Sequence, residues 1–229
     1  MRWSFPIGRL FGVPVRIHYT FPLFLLYVGG RTYFQEHDWG ATLEMAFLSV
    51  LLFGCVLLHE FGHVLAARHF GYGTRDVTLL PIGGVARLDQ VPEDPRQEIW
   101  VAIAGPLVNV AIALILLPLV GLKLLLSADG FWDVIWDSPM AALLVSNLAI
   151  ACFNLLPAFP MDGGRVLRAL LARRLDYVRA TWIATRLGRV MAVLFCVLSF
   201  WGYPHLALVG IVVWVIAGRE NAMVASQAQ

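Results

Sequence analysis

Long apolar stretches recur along this chain, and their lengths set the first expectations. The run from Ile99 to Leu122 carries no charge. A helix needs about 20 such residues to cross a hydrocarbon core of roughly 30 Å. Five further stretches read as spans: His18 to Phe34, Ala41 to His69, Ala141 to Leu156, Leu187 to Phe200 and Leu206 to Ala217. The first of these is interrupted by Pro22, Gly29, Gly30 and Arg31. Two connections have patterns of their own. Between the second and third spans, Asp76 to Leu80 and then Pro81 to Leu88 read as two short strands about a Pro/Gly turn. Between the fourth and fifth, Gly164 to Arg189 reads as an Arg-rich amphipathic helical region at a membrane surface. The expected fold class is therefore an all-α polytopic membrane protein of six transmembrane helices, with a small membrane-associated β element between helices 2 and 3. Residues 1–229 read as a single domain, with no internal repeat, low-complexity segment, PDZ insertion or CBS domain evident.

Composition strengthens the membrane reading. Hydrophobic residues make up 59% of the chain and charged residues 14%, against about half and a quarter in soluble domains. With six spans, every basic residue except Arg31 and Lys123 falls on the side that holds both termini. The positive-inside bias makes that side the cytoplasm. The acidic residues Asp129, Asp133 and Asp137 fall on the opposite side. The net charge of +2 lacks any basic, aromatic-interleaved cluster, so nucleic acid is not an expected partner. Cys55, Cys152 and Cys196 are widely spaced in apolar segments, as expected of free buried thiols. No secretory signal peptide is evident before the first span.

Against this apolar background one polar cluster stands out. His59-Glu60-Phe61-Gly62-His63 follows an uncharged run from Met45 to Leu58. Residues four apart share a helix face, so His59 and His63 can offer two imidazole nitrogens to one cation, with Glu60 beside them. In an H-E-x-x-H element the histidines bind zinc and the glutamate handles the proton of the attacking water. Polar groups inside a membrane are costly enough to require partners, and a metal ion would be one.

Catalytic zinc usually takes three protein ligands, so a third is expected elsewhere. Asp162 is the candidate. It ends Asn154-Leu155-Leu156-Pro157-Ala158-Phe159-Pro160-Met161-Asp162-Gly163-Gly164, where two prolines break the fourth span and the glycines keep the backbone irregular. Two roles are open to it on this segment: metal ligand, or cap of a helix beginning at Gly163. The His-Glu-His element favours the ligand.

These residues resemble the site-2 protease family of intramembrane zinc metalloproteases. That family carries H-E-x-x-H on one transmembrane helix and N-x-x-P-x-x-P-x-D-G on a later one; here they are His59 to His63 and Asn154 to Gly163. Gly105-Pro106-Leu107-Val108-Asn109 is similar to a recurrent family segment. Met161 stands where the family more often has Leu, a volume-conserving difference. The resemblance implies three core helices around one zinc ion per chain, with cleavage in or near the transmembrane segment of a single-span membrane protein. It further implies that Asn154 lies near the active site, polarising or positioning the scissile carbonyl, and that Asp76 to Leu88 corresponds to the family's membrane-associated β element. A substrate could pair there as an added strand.

The expected set is thus His59, His63 and Asp162 as metal ligands, Glu60 as general base and Asn154 as helper, in an integral membrane enzyme reached by water from the cytoplasmic side. Gly29-Gly30 and Trp201-Gly202-Tyr203-Pro204 are candidate points of gate flexibility. Competing readings are a metal-ion transporter, a catalytically idle relative that binds membrane proteins, and a protease with its site in a soluble domain. The third, fifth and sixth spans offer almost no polar route for an ion. Glu60 is intact, and no sizeable soluble domain fits in the chain.

Overall fold

The computed structural model describes residues 3–90, 92, 94–126, 134, 138–202 and 204–227. Arg2, the Asp129, Asp133 and Asp137 group, and Tyr203 lie outside them. In chain order the elements are β1 (Ser4–Leu10), β2 (Val13–His18), α1 (Thr20–Glu36), α2 (Trp39–His69), β3 (Thr74–Leu80), β4 (Gly83–Leu88), α3 (Pro95–Leu126), α4 (Pro139–Asn154), α5 (Asp162–Ala172), α6 (Tyr177–Leu198) and α7 (His205–Gln227). Among the described residues, three stretches, Trp39–His69, Pro95–Leu126 and Tyr177–Trp201, are long and apolar enough to cross a membrane, and Pro139–Asn154 is a shorter apolar helix. Each expected span corresponds to a helix. The chain divides into two compact units: Met1–Gln90 with Leu107–Ala151, and Val91–Pro106 with Cys152–Gln229.

In the first unit, the strands form one sheet in the order β1-β2-β3-β4. The expected β3–β4 pair is present, antiparallel, with Val77 opposite Ala86. The sheet is twice as large as the sequence suggests, because β2 pairs parallel to β3 with Val15 opposite Val77, and β1 pairs antiparallel to β2. Phe11 and Gly12 both have positive φ (49° and 81°), the two-residue hairpin geometry for which Gly is suited. Phe11 is the costly partner in that turn. Its carbonyl accepts from Arg68 Nη2 at 2.8 Å, and its ring lies 6.0 Å from that of Phe61. Val13, Val15 and Val77 pack with Phe61 and Val64 of α2 in one core cluster. The sheet therefore sits on the stretch of α2 that carries the polar cluster. Asp38 caps the start of α2, accepting from the Gly40 and Ala41 amides at 2.9 and 3.0 Å.

The second unit refines one expectation and corrects another. The Arg-rich connection is helical, as expected, but not as one continuous helix. A short helix, α5, ends at Ala172, and a new helix starts at Tyr177 and runs unbroken through the fifth span. Nor do Gly163 and Gly164 keep the backbone irregular, since both lie inside α5. A Cβ on Gly163 would strike the Leu155 and Leu156 carbonyls, and one on Gly164 would strike the backbone at Ala158. The glycines let α5 begin directly against the bend that precedes it. On the other side of that bend, Ala158 and Met161 pack with Ala192 and Phe195 of α6 and Val213 of α7.

Candidate metal centre

Helical spacing on α2 does what the sequence predicts. His59 and His63, 4% and 5% exposed, bring their Nε2 atoms to 3.1 Å from each other, with the rings nearly perpendicular at 82°. Two imidazole nitrogens converge at a buried point, as cation ligation requires.

Behind His59 lies a line of amides that the sequence did not single out as a unit. His59 Nδ1 is bonded to Asn109 Oδ1. Asn109 Nδ2 donates to Asn147 Oδ1 at 2.8 Å, and Asn147 Nδ2 donates to the Leu143 carbonyl at 2.9 Å. Both asparagines are fully buried. Asn109 entered the sequence argument only through a recurrent segment, and Asn147 did not enter it. The available signal was the cost of an amide in an apolar helix, which must find a partner.

Glu60 is half-buried on α2. Its Oε2 accepts from the Ala86 amide of β4 at 3.0 Å. β4 is an outer strand of the sheet, so Glu60 caps one donor of that strand. A Cβ on the neighbouring Gly84 would collide with the Glu60 side chain, so glycine gives the glutamate its room. Farther along the same hairpin, Arg87 bonds both Asp76 oxygens, Nε to Oδ1 at 2.8 Å. That bidentate contact holds the Asp76 carboxyl below the usual carboxylate range.

In the second unit, α4 ends at Asn154, and Pro157 and Pro160 lie in the bend that follows. Asn154 is half-buried, the last residue of its helix. Asp162 is 8% exposed and is the first residue of α5, with Met161 at the cap position and no side-chain cap bond there.

The model of peptidase family M50 matches residues 47–131 and 124–195. A zinc metalloprotease of Methanocaldococcus jannaschii is 35% identical over 98% of this chain and 62% of its own length. Stage IV sporulation protein FB of Bacillus subtilis is 32% identical over 67% of this chain and 48% of its own length. The chain thus spans less than two thirds of these curated relatives. Among solved structures, a site-2 protease from Methanocaldococcus jannaschii superposes with a TM-score of 0.70 at 32% identity, covering 96% of this chain and 95% of that one. The mostly helical architecture with its small sheet is the fold of that structure.

Proposed function

The chain belongs to peptidase family M50, and we propose that it is an intramembrane zinc endopeptidase that cuts a single-span membrane protein in or near its transmembrane segment. The observation that carries this reading is the paired Nε2 atoms of His59 and His63 on a buried helix face, with Glu60 next in sequence. Asp162 is proposed as the third ligand. Two imidazoles and a carboxylate are donor types that zinc takes, and Asp162, like the two histidines, is buried. The chemistry zinc supplies when bound is polarisation of the scissile carbonyl and acidification of a water.

The chain's own residues then have separable tasks. Glu60 takes the proton from the attacking water and hands it to the leaving amine. Asn154 donates from its amide to the developing oxyanion. The substrate segment, unwound from its helix, adds as a strand to β4, because a helical peptide bond is hydrogen-bonded and shielded. A strand added there competes with Glu60 for the Ala86 amide and so frees the carboxylate for the water. Six membrane-spanning helices, with both termini in the cytoplasm, complete the proposal. The support for that topology is the distribution of arginines and the helix that matches each apolar stretch.

The test is cleavage of single-span substrates by the purified chain in detergent, with zinc content measured in parallel. Glu60→Gln is expected to retain zinc and lose cleavage by about 10²- to 10⁴-fold, the usual worth of general acid–base catalysis. Cleavage at the normal rate would remove Glu60 from the mechanism. Asp162→Asn is expected to lower zinc content, and unchanged content would remove it from the ligand set.

A further inference from the structure

The line of amides behind His59 has only one consistent orientation. A backbone carbonyl can only accept, so the group that Asn147 turns toward Leu143 must be its NH2, at 2.9 Å. Its oxygen therefore faces Asn109 and accepts, so Asn109 presents its own NH2 at 2.8 Å. That leaves the Asn109 oxygen toward His59 Nδ1. An amide oxygen cannot donate, so His59 carries its proton on Nδ1. In the neutral ring the lone pair is then on Nε2, the atom that faces His63. A carbonyl on α4 thereby decides, through two side chains, which nitrogen of a histidine on α2 can bind a cation.

We propose that Asn109 and Asn147 are positioning residues that lock His59 in the Nδ1–H tautomer and aim its Nε2 lone pair at the metal. The inference rests on the reading of His59 as a zinc ligand and adds to it the device that prepares the ligand before metal arrives. Metal-bound histidines generally donate their second N–H to an oxygen, and loss of such a partner costs about 10- to 100-fold in metal affinity. Here the oxygen is a neutral amide, and its own orientation is set by a second amide. The arrangement stays uncharged throughout, which suits a site with apolar surroundings.

Two measurements on the full chain in detergent test this. In the zinc-free wild-type protein, ¹⁵N-histidine spectra read the tautomer of His59 directly, with assignment by the His59→Ala variant. The Nδ1–H form is expected, and the Nε2–H form would overturn the proposal with no variant needed. Zinc affinity, by competition with a chromophoric chelator, is expected to fall about 10- to 100-fold in Asn109→Leu. Asn147→Leu should fall by less, because Asn109 can still accept but is no longer held. Asn109→Asp keeps an acceptor toward Nδ1 but cannot donate to Asn147 Oδ1, so its affinity should fall by less than that of Asn109→Leu. An Asn109→Asp loss as large as that of Asn109→Leu would mean that packing matters and acceptance does not. The two readings fail separately. If His59→Ala binds zinc as tightly as wild type, the metal site itself is wrong. If His59→Ala is weak while Asn109→Leu matches wild type, only the relay is wrong.

Discussion

Behind His59 the unit built on α2 buries a line of neutral polar groups, whereas the unit built on α5, α6 and α7 buries a charged cluster around Arg168. His59, Asn109 and Asn147 form a line of single hydrogen bonds that ends on a backbone carbonyl. Arg168 instead donates Nε to Glu98 Oε1 and Nη1 to Glu220 Oε1, both at 2.8 Å. The Arg168 and Glu98 side chains are 2% and 1% exposed. The guanidinium also lies over the rings of Phe159 and Tyr177, at 4.8 and 4.9 Å. Charges taken from water must be paired where they sit, and here one guanidinium pairs with two carboxylates. It therefore ties α3, α5 and α7 together as structure. The neutral line has a direction, and it leaves one lone pair aimed at the converging imidazoles.

The sharpest way to break this contrast is Arg168→Met. It strands Glu98 without its partner, and loss of one member of a buried ion pair costs about 3–5 kcal/mol. Thermal unfolding in detergent should show a large drop, and adding Glu98→Gln should recover part of it. Unfolding at the wild-type temperature would mean that the cluster holds nothing.

A smaller effect, on chemistry this time, is expected from Gly84→Ala. The added methyl would push the Glu60 side chain, and a displacement near 1 Å in a reacting group costs up to about 100-fold in rate. Cleavage should fall by about 10- to 100-fold while zinc content and unfolding temperature stay near wild type. A parallel loss of stability would instead make Gly84 a packing residue of the sheet.

The smallest effect lies at the sheet's surface. Arg87 lowers the Asp76 pKa from its ordinary value of 3.8. A carboxylate depressed in the folded state contributes stability above its ordinary value and loses it as pH falls through the lowered one. Because Arg87 is 39% exposed, solvent screening keeps the contribution to about 1 kcal/mol or less. Protection factors of β3 and β4 amides, corrected for the intrinsic pH dependence of exchange, should fall slightly below pH 4 relative to pH 5, and Arg87→Met should abolish that dependence. A pH response unchanged in Arg87→Met would assign it to another carboxylate.

Much of this molecule is readable before folding. Lipid as solvent demands long apolar helices, so the apolar runs mark the helices, and each expected span has one. The 3.6-residue period alone places His59 and His63 on one face, and the prolines at 157 and 160 announce the break before Asp162. Other features needed the folded chain. The N-terminal hairpin is short and interrupted by Pro6, Gly8 and Pro14, and its parallel pairing to β3 joins segments separated by two helices, which no local pattern encodes. Gly163 and Gly164 look like loop glycines until the Leu155 and Leu156 carbonyls are seen beside them.

By itself, the sequence determined the helices, the paired histidines with their glutamate, and the family, because each is written in spacings of a few residues or in runs of one polarity. The tertiary structure decided which polar group answers which. His59 meets Asn109 across 50 residues of chain, and Arg168 meets Glu98 across 70. Hydrogen bonds are short and directional, so their partners are settled only when helices distant in sequence pack to within about 3 Å of one another's side chains.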